Sequence, residues 1–159
     1  MDKPKFSIVL FAPEIPGNTG SIGRTCVALD IELILIKPYG FELSEKAVRR
    51  AGLDYWKFVK ISEFETWTDF IKTKNVKNDE LLFFENDKDK TFYHAPYKQN
   101  CYLVFGSETK GIPKDILEQY KDQLYSIPMF SNHIRSLNLS NAATAVAMEC
   151  VRHLVDFKA

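Results

Sequence analysis

Short apolar runs alternate with longer amphipathic stretches along the whole chain. Runs rich in Val, Ile, Leu and Phe recur at residues 6–11, 31–36, 58–61, 81–84, 101–105 and 124–127. Each is four to six residues long and most are apolar at successive positions, which predicts strands buried on both faces of a parallel sheet. Helical patterns lie between them. A helix is predicted over 19–29 with Asn18 as its N-cap, and a short one over 44–50 capped by Ser44. Ser62 and Glu65 suggest a capping box for a helix running towards Thr73. Pro113 suits the first turn of a helix ending near Lys121, and a last helix runs from about Ser140 to Val155. The polar stretch 86–100 reads as a long loop carrying one helical turn.

Strand and helix alternate to the end, so the expected class is α/β: a mostly parallel six-stranded sheet with helices on both faces. Pro13, Pro38, Pro96, Pro113 and Pro128 all fall at element edges, and no repeat or linker interrupts the pattern. One domain over residues 1–159 is the expectation. Composition agrees: 45% hydrophobic and 26% charged residues are globular values that exclude disorder and coiled coil. No apolar run approaches the ~20 residues of a membrane span, and the segment MDKPKFSIVLF lacks the pattern of a signal peptide. Cys26, Cys101 and Cys150 are scattered through apolar contexts, as expected of buried, reduced thiols in a cytoplasmic protein.

The 21 basic and 21 acidic residues cancel, so any nucleic-acid surface must be a local patch. Candidate basic groups are Arg24, Arg135 and the set Lys46, Arg49 and Arg50, the last followed by Ala-Gly-Leu-Asp-Tyr-Trp56. Arginines near aromatics can grip phosphates and stack bases.

Five of the seven glycines fall in two loops. Pro13-Glu-Ile-Pro-Gly-Asn-Thr-Gly-Ser-Ile-Gly-Arg24 follows the first strand, and Phe105-Gly-Ser-Glu-Thr-Lys-Gly-Ile-Pro113 follows the fifth. Ligands of open α/β sheets bind beyond the carboxyl ends of strands, where glycine lets backbone come close. The spacing G-x-x-G-x-x-G at Gly17, Gly20 and Gly23 is not a dinucleotide fingerprint, and Lys37-Pro38 replaces the acidic residue such a site needs. Gly111-Ile112 likewise departs from the Gly-Lys-Ser/Thr of a P-loop. A third cluster, Ile127-Pro-Met-Phe-Ser-Asn-His-Ile-Arg-Ser-Leu-Asn-Leu-Ser-Asn141, feeds the last helix. Helix capping explains one or two of Ser136, Asn138, Ser140 and Asn141; four exceed that need and point to a ligand or catalytic role. His94, His133 and His153 show no metal-ligand spacing, and no metal is expected.

Three such clusters in this order resemble the motifs of the SPOUT methyltransferases, in their SpoU/TrmH-like branch. Asn18-Thr-Gly-Ser-Ile-Gly-Arg24 resembles the first motif, Phe105 to Gly111 the second, and Ile127-Pro-Met with Arg135-Ser-Leu-Asn-Leu-Ser-Asn141 the third. The likeness is closest to the short enzymes that methylate the wobble-nucleotide ribose of tRNA, which also resemble this chain at Pro13-Glu-Ile-Pro16 and Arg49-Arg-Ala-Gly-Leu-Asp-Tyr55. It covers residues 6 to about 153.

The resemblance implies a C-terminal trefoil knot, a homodimer, and S-adenosylmethionine as methyl donor with S-adenosylhomocysteine as product. It implies transfer to the ribose 2′-hydroxyl of cytidine 34 or carboxymethylaminomethyluridine 34 in the anticodon stem-loop. By that likeness Phe84, Gly106, Ile127, Ser136 and Leu137 hold the cofactor. Arg24, Asn18, Glu108, Ser136 and Asn138 are the catalytic candidates, and Arg24, Arg49, Arg50 and Arg135 the tRNA contacts. Arginine side chains keep their proton in proteins, so phosphate anchoring and electrostatic stabilisation suit Arg24 better than base catalysis. Met148 stands where many similar enzymes carry a tyrosine. The alternative is a non-catalytic RNA-binding module on the same fold.

Overall fold

The computed structural model describes residues 3–43 and 55–158. Within them six strands form one sheet: β1 (Phe6–Phe11), β2 (Glu32–Ile36), β3 (Lys60–Phe64), β4 (Leu81–Phe84), β5 (Cys101–Phe105) and β6 (Leu124–Tyr125). Their order is β3-β2-β1-β5-β4-β6, and every pairing is parallel. Among the described residues four α-helices accompany them: α1 (Pro16–Leu29), α2 (Trp67–Thr73), α3 (Lys114–Gln119) and α4 (Leu139–Leu154). The predicted helix over 44–50 lies outside the described residues.

Strand alternation divides the core into two layers. Ile8, Leu10, Leu33 and Leu103 point to the side where Ile22 and Cys26 of α1 pack with Ala143, Val146 and Ala147 of α4. Val9, Ile34 and Val104 point to the other, against Trp67 and Phe70 of α2 and Ile116 of α3. Both faces are therefore covered, which is why the central strands read as continuous apolar runs. Among the described residues no helix is long and apolar enough to cross a membrane.

The structure moves several predicted boundaries. The third strand is 60–64 rather than 58–61. It is an edge strand with no fully buried residue, so an apolar-run criterion misplaces it, and Phe58 lies exposed in the preceding turn. Ser62 belongs to that strand and bonds Glu32 instead of capping a helix. The cap of α2 is Thr66, whose Oγ1 accepts the Asp69 N–H at 3.1 Å. Helix α1 starts earlier than predicted, at Pro16, which leaves Asn18 inside the helix. Strand β6 ends at Tyr125, and the helical turn within 86–100 is Phe92–His94, anchored by buried Phe92, Ala95 and Tyr97.

All three cysteines are free and buried, with Cys101 Sγ 3.9 Å from Cys150 Sγ. Burial pushes the Cys26 thiol up to about 12. The hydrogen bond shared by the other two holds Cys101 below the ordinary thiol range and pushes Cys150 far above it. Access decides their reactivity. A thiol-specific aromatic disulfide reagent should therefore titrate none of the three in the native protein and all of them in denaturant.

Candidate functional site

The two glycine loops and the third cluster meet at the carboxyl ends of β1, β4 and β5. They enclose a cleft of about 370 Å³, a size that suits a small-molecule cofactor. Phe84 and Phe105 line it from strand ends, Ile127 from just beyond β6, and Ser136, Leu137 and Asn138 from the segment entering α4. Gly106, Glu108 and Asn18 complete its rim.

The second loop is folded tightly on itself. Ser107 and Gly111 pair across it, with the Gly111 N–H donating to the Ser107 carbonyl at 3.0 Å. A Cβ on Gly106 would stand 2.1 Å from the Gly111 carbonyl carbon and 2.3 Å from the Ile112 nitrogen. Only glycine permits that approach of backbone to backbone. Gly111 adopts φ +67°, and its absent Cβ leaves space for Glu85, whose Oε2 would lie 2.6 Å away. The Glu85 carboxylate accepts the Ile112 N–H at 2.9 Å and the Asn86 N–H at 3.1 Å, which ties the end of β4 to the loop.

The first and second loops clasp each other through reciprocal carboxylates. Helix α1 has no side-chain cap of its own, because Ile15 occupies the N-cap position. Glu108 supplies the cap from 93 residues away, accepting the Ile15 N–H at 3.1 Å and the Glu14 N–H at 2.8 Å. A carboxylate there also faces the positive end of the helix dipole. In return Glu14 accepts the Thr109 hydroxyl at 2.7 Å and its N–H at 3.2 Å, and those bonds lower the Glu14 carboxyl pKa.

The third cluster joins by amides. Asn18 Nδ2 donates to Glu108 at 3.2 Å, and Asn138 Nδ2 donates to Asn18 Oδ1 at 3.1 Å. Asn138 Oδ1 in turn accepts the Ser140 N–H at 2.9 Å and the Ser140 hydroxyl at 2.6 Å. The relay Glu108–Asn18–Asn138–Ser140 thus stitches all three sequence clusters across one wall of the cleft. Asn138 is the N-cap of α4, so one residue caps a helix and fixes a loop.

Glu108→Ala should lower stability by about 1–2 kcal/mol, the usual cost of losing a cap. Glu108→Gln, which retains one acceptor, should lose less. Thermal melts of the two variants beside the wild type provide the check.

Not every candidate reaches the cleft. Arg24 is exposed on α1, its guanidinium 5.3 Å above the Tyr55 ring. It lies six residues beyond Asn18, about 9 Å along the helix and roughly 120° around it. Arg135 is exposed in the third cluster, and among the described residues it has no carboxylate partner. Arg49 and Arg50 lie outside the described residues. Sequence reasoning missed Glu85 and Glu14. The rule that ligands gather at the carboxyl ends of parallel strands singles out Glu85, the residue directly after β4.

Comparison with known proteins places this arrangement among RNA methylases. The family model described as the SpoU rRNA Methylase family matches residues 5–148. The chain belongs to that family. A relative from Saccharophagus degradans, named tRNA (cytidine(34)-2′-O)-methyltransferase, is 45% identical over 151 residues, spanning 94% of this chain and 96% of its own. A structure solved in a study of the 2-OH methylation of C/U34 on tRNA superposes with a TM-score of 0.85 at 34% identity, covering 95% and 97% of the two chains. The SpoU methyltransferase AviRb from Streptomyces viridochromogenes, solved with AdoMet, shares the fold at 23% identity and a TM-score of 0.79. It covers 96% of this chain and 62% of AviRb.

Proposed function

We propose that this chain is a single-domain tRNA methyltransferase that moves a methyl group from S-adenosylmethionine to the ribose 2′-hydroxyl of the wobble nucleotide. Cytidine 34 and carboxymethylaminomethyluridine 34 are the proposed targets, in the cytoplasm. The observation that carries the reading is the convergence of all three sequence motifs on one cleft, stitched by the Glu108–Asn18–Asn138 relay. The 45% identity to a wobble-nucleotide methyltransferase across nearly both full chains supports the choice of substrate.

The cleft's chemistry fits the cofactor. Phe84, Phe105, Ile127 and Leu137 offer apolar surface for an adenine ring. Glu85 and Glu108 are the only charged side chains among the described residues that line it, which suits a sulfonium and an ammonium. When bound, the cofactor supplies an electrophilic methyl on a positively charged sulfur. The chain must then hold a ribose hydroxyl in line with that methyl and relieve it of its proton. Ser136, at the rim, has no hydrogen bond to another described residue and is assigned to orient ligand oxygen. Asn18, Glu108 and Asn138 hold the loops in register. Arg24, Arg49, Arg50 and Arg135 are assigned to RNA phosphates.

Arg24 faces away from the cleft of its own chain, which a homodimer resolves if α1 of one protomer borders its partner's cleft. Exposed Ile15 at the start of α1 and Met148 on α4 are apolar surface for such a contact. The trefoil knot is part of the same reading. It is supported by the chain's course: strand β6 pairs outside β4, and the chain then returns to set α4 against α1 and β5.

The test is direct. Calorimetric titration with S-adenosylhomocysteine should show one site per chain. Incubation with S-adenosylmethionine and unmodified tRNA should protect the phosphodiester bond 3′ of the wobble nucleotide from alkaline cleavage, because a methylated 2′-oxygen cannot attack it. A well-folded protein that binds RNA but no S-adenosylhomocysteine would instead be an RNA-binding module.

A further inference from the structure

Residues 130–138 form an exposed segment whose ends touch the cleft, since Met129 just before it and Ser136 to Asn138 within it are lining residues. Its sequence, Phe-Ser-Asn-His-Ile-Arg-Ser-Leu-Asn, contains Arg135 and His133 and no acidic residue. At its start stands Phe130, 97% exposed. Other surface aromatics are partly covered: Phe58 is 61% exposed, Phe157 56% and Tyr93 53%. Single exposed apolar residues are common. A phenyl ring wholly in water, beside the reaction cleft and in a segment of positive character, is a different case.

From this geometry we infer that Phe130 is a stacking platform for an unpaired base of the RNA substrate, next to the nucleotide being methylated. The inference rests on the RNA-methylation reading above and adds a residue to it. Its chemistry follows from the segment. An aromatic face takes the base, Arg135 meets the flanking phosphate, and the hydroxyls and amides of Ser131 and Asn132 lie between them in sequence. Recognition of RNA loops combines just these groups, because an unstacked base exposes an apolar face and charged oxygens together. A second protein copy is less suited to the segment, whose apolar residues Phe130, Ile134 and Leu137 are separated by polar ones.

The experiment uses the full-length protein and a synthetic anticodon stem-loop RNA with an unmodified wobble ribose. Phe130→Ala should weaken RNA binding about tenfold, the scale of one lost base stack. Phe130→Leu should be nearly as weak, and Phe130→Trp should bind at least as well as wild type, with its indole fluorescence quenched by RNA. S-adenosylhomocysteine affinity should not change in any of them. Stacking releases no counterions, so the salt dependence of affinity should match wild type in Phe130→Ala. In Arg135→Ala the slope should fall by about 0.7, as for one phosphate contact on a single strand.

Removing bases from the RNA loop one at a time should identify one abasic position at which Phe130→Ala costs nothing further. Equal RNA affinity in wild type and Phe130→Ala, or full function in Phe130→Leu, would overturn the stacking role. Sedimentation of Phe130→Ala as a smaller species, with RNA affinity falling in step, would assign the ring to a second copy of this chain and overturn it too. Failure of the wild type to bind the stem-loop would overturn the RNA-methylation reading itself, and is distinguishable because it needs no variant.

Discussion

Replacing Arg24 by alanine is expected to slow methyl transfer to tRNA by about a hundredfold, the scale of losing one preorganised charged donor at a reacting centre. Stability and S-adenosylhomocysteine affinity should stay at wild-type values. The separation follows from position. Arg24 is exposed and lies off the cleft; among the described residues its guanidinium rests over the Tyr55 ring and makes no ion pair, so its removal opens no buried cavity. Arg24→Lys keeps a charge but loses the planar fork that matches phosphate, and should recover only part of the rate. A second measurement tests where Arg24 acts. Co-expressing Arg24→Ala with an inactive cleft variant such as Ile127→Trp should restore activity if α1 serves the partner's cleft, because a mixed dimer then has one intact site. Single-turnover rates with saturating cofactor are the readout. A rate unchanged in Arg24→Ala would remove the residue from the mechanism.

Gly106→Ala should be more damaging than alanine at any other glycine whose surroundings are described. Its new methyl group would stand 2.1 Å from one backbone carbon and 2.3 Å from a backbone nitrogen. Neither can swing aside as a side-chain end could, so the loop must open. That opening would break the Ser107–Gly111 pairing and pull Ile112 away from Glu85. A loss of about 3 kcal/mol is expected, at the upper end of overpacking costs. For a chain this size the corresponding fall in Tm is about 6–12 °C. Cofactor binding should disappear with the loop's shape. Gly106 is therefore a poor probe of direct cofactor contact, since any larger side chain disturbs the loop before it reaches a ligand. Gly17, with nothing within 4 Å of the position its Cβ would occupy, is the matched control and should tolerate alanine. Calorimetry and melting of both variants decide the point. A Gly106→Ala protein with wild-type stability would show that the loop adapts.

Legibility in the sequence followed burial. β1, β4 and β5 are buried on both faces, so their residues are almost all apolar and their observed bounds equal the predicted ones. β3 sits at the edge, where only alternate positions need be apolar, and its prediction slipped by two residues at its start. Helix starts failed for a related reason. The N–H groups of Glu14 and Ile15, which lead into α1, find their acceptor in Glu108 on another loop, and the N-cap Ile15 has no polar side chain to mark the helix start. Asn18 looked like that cap because amides favour such positions, whereas its buried amide serves as the middle of the relay.

The alternation of strands and helices, the two glycine loops and the three clusters that mark the family can all be read along the chain. Those properties are local: periodicity, glycine content and short polar runs are written in neighbouring residues. What the polar residues of those clusters do depends on how the chain folds. Glu108, Asn18 and Asn138 form one chain of hydrogen bonds because parallel strands deliver their loops to the same end of the sheet, and partners 90 and 120 residues apart leave no mark in any short window. The tertiary structure likewise set Arg24 apart from the cleft that its own motif helps to build. A helix carries successive residues around its axis as well as along it, so Asn18 faces the site and Arg24 faces solvent.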